Sequence, residues 1–353
     1  MHTGVNTVDP VALTLGVIVL VVVVGDLLWT TLWVEGGAGP LTTRLMRGTW
    51  AAMRRVGEGH PRFLTLAGPV ILSLGLATWI GLLWGGWTLV FAGVEHAIFD
   101  TRSDDPVSLV ERFYFVGYTL FTMGNGDFTP NEGLWQVLTG LTTASGMLLI
   151  TLVVSYVVSV LDAVTQKRAF ASNVSGLGYR GEEIVRTAWN GDGEAFRGFD
   201  LSLNSYTAEI NELTTNHQAY PILHYFYTDR REYATVLGVV ALDEALTLLR
   251  FGVEEDVRPS DPILANGRSS VGTYLSAVGS VSVRPTDRTP PPPDLDAVRE
   301  AGIPTVTEER FAESVDDLAE RRRMLLGLVE TDAREWPGSG RTDASLARPS
   351  GRS

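Results

Sequence analysis

Apolar residues are concentrated in three stretches of this chain. From Val11 to Val34 they form a run of about 24 residues, interrupted only by Gly25-Asp26 and Thr30-Thr31, and long enough to cross a bilayer as a helix. A second run extends from Phe63 to Val94, with Trp79, Trp84 and Trp87 toward its end, as expected near a membrane interface. A third extends from Leu134 to Leu161. The loop between the second and third contains one semi-apolar segment, Val107 to Thr122, too short and too polar to span. Beyond residue 165 the pattern changes. Helical periodicity appears at Tyr206–Thr215, Tyr220–Tyr227, Arg230–Phe251 and Glu308–Leu328, with Thr305-Val306-Thr307-Glu308 as a capping box for the last. Gly191–Asp200 and Arg258–Asn266 read as turns, and Pro290–Pro293 as a stiff linker. The expected organisation is an N-terminal span with a basic loop (1–62), a membrane domain (63–165), a mainly helical soluble domain (166–335) and a glycine-, serine- and arginine-rich disordered tail (336–353).

Charge orients this arrangement. Arg44, Arg47, Arg54, Arg55 and Arg62 crowd the loop after the first span, and Lys167-Arg168 follow the third. By the positive-inside rule both face the cytoplasm, which puts the N-terminus outside and the C-terminal half inside. A cleaved signal peptide is the rival reading of the first run, but it wants a basic leading region, and residues 1–10 hold only His2 and Asp9. The loop from Glu95 to Gly133 then faces outward, carrying Glu95, Asp100, Asp104, Asp105, Glu111, Asp127 and Glu132 against Arg102 and Arg112. The net charge of −13, with Lys167 as the one lysine, argues against non-specific nucleic-acid binding. The lack of cysteine excludes disulfides, iron–sulfur clusters and cysteine-type zinc sites. Asp26 is the one carboxylate deep in a span; a hydrogen bond to Thr30 or to water is the expected way of keeping it there.

The outward loop carries the candidate chemistry. Phe113 to Pro130 reads as a short helix with aromatic faces, then Thr122-Met123-Gly124-Asn125-Gly126-Asp127, then Pro130. A dehydrated monovalent cation needs backbone carbonyls in place of its water shell, so successive carbonyls must point one way. Glycine at alternate positions supplies the backbone angles that other residues resist.

With this segment set between two spans, residues 64–165 resemble the two-helix pore module of the potassium-channel family. Thr122, Gly124, Gly126 and Asp127 stand where that family has its filter threonine, two glycines and following aspartate. The resemblance implies a membrane all-α fold: an outer helix, pore helix, filter and inner helix, preceded here by one extra transmembrane helix and followed by a helical cytoplasmic domain. It implies a homotetramer in the lipid bilayer, with potassium as the permeant ion and no cofactor. The ion-binding set would be Thr122, Met123, Gly124, Asn125 and Gly126, with Asp127 at the outer mouth. Tyr114 and Phe115 would brace the filter. Gly146 falls at the family's inner-helix hinge, and Met147, Ile150, Val154, Ser155, Val158 and Asp162 would line the pore below it; close helix packing is the alternative role for that stripe.

Two filter positions depart from the family. Met123 replaces valine or isoleucine, and Asn125 replaces an aromatic residue that packs behind the filter. A looser filter with measurable sodium permeability is one expectation; an asparagine hydrogen-bonded to the pore helix is the other. A non-selective sodium and potassium channel, or a non-conducting sensor or scaffold with a pore-like fold, are the alternative functions. An enzyme is disfavoured. Gly176-Leu177-Gly178-Tyr179-Arg180-Gly181 spells a dinucleotide-binding fingerprint, but the required strand is missing before it. His217 and His224, seven apart on an expected helix, are too few for a metal site. No arginine array suggests a voltage sensor, and a cytoplasmic ligand or partner is left open.

Overall fold

The computed structural model describes residues 8–33, 37–57, 61–103, 105–191, 193–281 and 283–338; the expectations for His2, Val34, Asp104 and the tail from residue 339 lie outside these. The chain divides into two units, one formed by residues 1–58 and 66–161 and the other by residues 59–65 and 162–353.

Among the described residues, three helices are long and apolar enough to cross a membrane, and the first unit is built on them. They are α1 (Pro10–Leu32), which is followed by α2 (Pro40–Val56); α4 (Ala67–Ala92); and α6 (Leu134–Ser175), with α5 (Leu109–Leu120) in the loop before it, while the single turn α3 (Pro61–Leu64) belongs to the second unit. Asp9 starts α1 by accepting from the Val11 and Ala12 amides, with Pro10 at the first helical position. Helices α1 and α4 touch backbone to backbone: a side chain at Gly16 would stand 2.8 Å from Gly86 O and Val90 N. In lipid this close approach takes the place of the hydrophobic effect as the source of helix association.

Helix α2 is amphipathic. Thr42, Met46, Trp50 and Met53 are buried, while Arg44, Arg54 and Arg55 are exposed. Its N-terminus is tied to the membrane helices by Asp26. That carboxylate accepts from the Leu41 amide (2.8 Å), the Thr42 hydroxyl (2.5 Å) and Trp79 Nε1 (3.1 Å). The expected Thr30 contact is not the one used; Thr30 Oγ1 accepts instead from the Gly39 amide at 3.0 Å. A buried carboxylate is retained because it satisfies the orphan amides that begin α2. The tryptophans of α4 are tied to other segments as well. Trp79 is buried against Asp26, Trp84 Nε1 donates to Phe113 O (2.8 Å), and Trp87 Nε1 donates to Ser145 (3.0 Å). A buried indole N–H needs an acceptor, and each finds one on another segment.

The second unit is helical, with a core that includes Phe170, Ile184, Ile210, Val239, Leu248 and Leu325. Helix α6 runs through Lys167-Arg168 to Ser175, so the basic juncture is an uninterrupted helix. Then follow α7 (Gly181–Ala188), α8 (Phe199–Ala219), α9 (Thr235–Thr247), α10 (Asp261–Val281), α11 (Leu295–Glu300), α12 (Glu308–Asp316) and α13 (Ala319–Thr331). Several expectations are corrected here. Tyr220–Tyr227 is not an α-helix but a 3₁₀ turn at Pro221–Tyr225, so His217 and His224 share no helix. Arg230–Phe251 resolves into a 3₁₀ turn, α9 and a π-turn at Leu248–Gly252. Glu308–Leu328 breaks between α12 and α13, and α12 is capped by Thr307 rather than Thr305. The turn expected through Asn266 ends at Ser260, where α10 begins. Pro290 and Pro293 are buried within the unit and are no free linker. The glycine fingerprint at 176–181 joins two helices, α6 and α7, with no strand before it.

Candidate functional site

The site is the loop between α4 and α6, and it is assembled on α5. A reciprocal capping box starts that helix: Ser108 Oγ accepts from the Glu111 amide (3.3 Å) and Glu111 Oε2 from the Ser108 amide (2.8 Å). One turn on, Arg112 is buried and spends its guanidinium on backbone carbonyls. It donates to Phe91 O, to Val94 O (3.0 Å), to Glu95 O (2.6 Å) and to Val107 O (3.2 Å). These include carbonyls at the end of α4, so one fork of donors satisfies the C-terminal end of that helix and fixes α5 against it.

At its other end α5 unwinds into the glycine motif. The Phe121 amide donates to Gly117 O (3.0 Å) and the Met123 amide to Tyr118 O (2.8 Å), with Thr122 in the left-handed region at φ 59°. Gly124 (φ 59°) and Gly126 (φ 78°) are left-handed as well, while Met123 and Asn125 between them are not. Alternate residues of opposite handedness turn successive carbonyls toward one side, which is the backbone geometry a row of cation ligands requires. Residues 122–126 are all exposed, with Met123 at 67%. The negative end of the α5 dipole points to the start of this row.

The loop is held from behind. Asn125 Nδ2 donates to the Tyr114 hydroxyl and to Asp127 Oδ2 (2.9 Å). The Tyr118 hydroxyl donates to Phe128 O at 2.9 Å and faces the Phe128 amide at 3.3 Å. Phe128–Pro130 (β2) pairs antiparallel with Ile98–Asp100 (β1). Thr101 adds bonds to Asp127 O (2.8 Å) and Gly126 O (3.3 Å). Arg102 lies 3.0 Å from Asp100 and 3.7 Å from Asp127, and its hydrogen bond holds the Asp100 carboxyl below the usual carboxylate range.

Of the two expected braces, Tyr114 reaches the loop directly. Phe115 is buried and packs its ring on Phe91 and Tyr118, so it acts behind Tyr118. The Asn125 bonds support the reading in which the asparagine itself fixes the loop. Gly146 packs against the end of α5, since a side chain there would run into Leu120 O. Met147, Ile150, Val154, Ser155, Val158 and Asp162 are exposed along α6. Arg112, Tyr118 and Thr101 escaped the sequence reading. The available signal was an arginine and tyrosines within an otherwise apolar short helix; Thr101 offered none. Among the described residues no group of three or more histidine or acidic side chains could hold a metal ion.

Residues 77–163 match the family model described as "Ion channel". With three apolar helices and this loop, the protein is a membrane protein carrying an ion-channel domain. The chain belongs to the same family as the protein described as "Uncharacterized membrane protein YdjJ" of Bacillus subtilis (strain 168). The two are 41% identical over 322 residues, which covers 91% of this chain and 94% of that relative. No solved structure matches the chain.

Proposed function

We propose that this protein is a homotetrameric channel that conducts potassium passively in preference to sodium, through a filter formed by Thr122, Met123, Gly124, Asn125 and Gly126 of each chain. The observation that carries this is the alternation of backbone handedness at Thr122, Gly124 and Gly126 in a loop that is exposed in the single chain. A row of carbonyls on one chain encloses nothing. Four copies around an axis would complete the cage and would cover the exposed stripe from Met147 to Val158. Asp127 then stands at the outer mouth and Asp162 at the inner one, with the C-terminal half in the cytoplasm and residues before α1 outside, as the arginines of α2 favour. No cofactor takes part beyond the permeant ions. The bonds from Asn125 to Tyr114 and Asp127 take the place of aromatic packing in keeping the filter at one diameter.

Purified protein in planar bilayers tests this. Reversal potentials in mixed potassium and sodium should follow the potassium gradient, and Gly126→Ala in an assembled tetramer should abolish the current. Equal permeability would make it a non-selective channel. No current from intact tetramers would leave a sensor or scaffold.

A further inference from the structure

The second unit holds a cavity of about 350 Å³ bounded by the start of α7, the middle of α9, Pro291–Asp296 and Trp336. Nothing in conduction uses it. Two carboxylates set its character. Glu182, in the first turn of α7, and Glu244, on α9, are both buried and both line it. They come together because Gly181 lets α7 approach α9 closely: a side chain there would stand 2.6 Å from Glu244 Cβ. Asp294, Asp296 and Glu308 also line the wall, the last two paired with Arg299, and among the described lining residues Arg180 is the one cation. Burial raises the pKa of Glu182, and raises that of Glu244 to about 7, so the nearby arginines do not make up for lost hydration.

Two details indicate what the cavity would hold. Glu182 Oε1 is 2.5 Å from Arg180 Nε, yet this buried oxygen accepts no hydrogen bond. The Arg180 guanidinium balances its charge without being aligned to donate, so the oxygen keeps room for an aligned donor. The protein also contains its own example of the matching chemistry. Arg322 donates to Glu244 Oε1 (2.5 Å) and to Pro291 O (2.5 Å), with its guanidinium 5.9 Å from the Trp336 ring. Carboxylate, carbonyl and indole face are together a receptor for a delocalised cation. A metal ion is the poorer match, because no three ligands converge among the described residues and the walls include prolines and an indole.

We propose that this cavity is a binding site for a small organic cation, an amine or guanidine of a size to fill it, whose charged group is received by Glu182 and whose body lies against Trp336 and the proline wall. The site is independent of the conduction reading and would stand if the pore proved silent. The same guanidinium chemistry could come from a free molecule or from Arg341, Arg348 or Arg352 of this chain's own C-terminus.

The test is calorimetric titration of the full-length protein in nanodiscs with agmatine, and with n-butanol as an uncharged control. Saturable agmatine binding that weakens at least tenfold in both Glu182→Gln and Trp336→Leu, with no butanol binding, is the expected result. The Trp336→Leu variant keeps both carboxylates and so covers the case in which Glu182→Gln does not fold. Truncation after Gly338 separates the two sources: a free ligand requires unchanged affinity, and tighter agmatine binding means that the tail occupies the site. Absence of saturable binding both to the full chain and to the truncated one, or equal affinity in wild type and both variants, overturns the proposal.

Discussion

Replacing Tyr114 with phenylalanine removes one oxygen and leaves the ring. Tyr114 keeps its edge contact with Tyr118, at 5.2 Å between ring centroids, so packing of α5 should survive. What disappears is the acceptor for Asn125 Nδ2, which then retains only Asp127 Oδ2 at 2.9 Å. A hydrogen bond of this kind is worth about 0.5–1.5 kcal/mol net. If the filter's preference for potassium depends on that bond, this is the upper limit of the selectivity that can be lost. With about 2.3 kcal/mol per elementary charge per 100 mV, the loss corresponds to a shift of roughly 20–65 mV in reversal potential under bi-ionic conditions. The assay is single-channel recording of the purified Tyr114→Phe protein with potassium on one side and sodium on the other. Asn125→Ala, which removes both bonds, should shift at least as far. Unchanged reversal potentials in both variants would refute the reasoning, because the asparagine would then hold nothing that discriminates between the ions.

Other substitutions probe the supports around the site. Gly146→Ala places a methyl group on the Leu120 carbonyl, and overpacking of this sort costs about 1–3 kcal/mol; the thermal midpoint in detergent should fall. Asp26→Ala leaves the Thr42 hydroxyl and the Trp79 indole without their acceptor, at about 1–3 kcal/mol for each buried group, whereas Asp26→Asn should be milder because its carbonyl can still accept. A midpoint equal to wild type in Asp26→Ala would remove the carboxylate's proposed role as anchor of α2. In the second unit, burial lifts Glu244 from an ordinary 4.5 to about 7, with Asp243 and Glu182 adding to the rise and Arg322 opposing it. Because the folded state holds this proton more tightly, its contribution to stability is full below pH 4.5 and is lost as pH rises through about 7. Glu244→Gln should therefore flatten the fall in unfolding midpoint between pH 5 and pH 8, as read by intrinsic fluorescence of the full chain in nanodiscs; an unaltered slope would count against it.

Much of the membrane unit was legible in the order of residues because lipid makes its demands locally. A span must be apolar over its own length, and a cation-binding backbone must alternate with glycine over its own few residues. Val11 to Val34, the third run and Thr122 to Asp127 meet those demands without reference to anything distant. Long-range hydrogen bonding carries no such periodic signal. That Asp26 caps α2, that Arg112 gathers carbonyls from the end of α4, and that Asn125 reaches back eleven residues to Tyr114 follow from which groups meet once the helices pack. The second unit shows the same division. Parts of α8, α9, α12 and α13 announced themselves by period, but α7, α10 and α11, the break between α12 and α13, the buried prolines and the meeting of Glu182 with Glu244 were decided in three dimensions, where each buried polar group takes the partner that packing brings within reach.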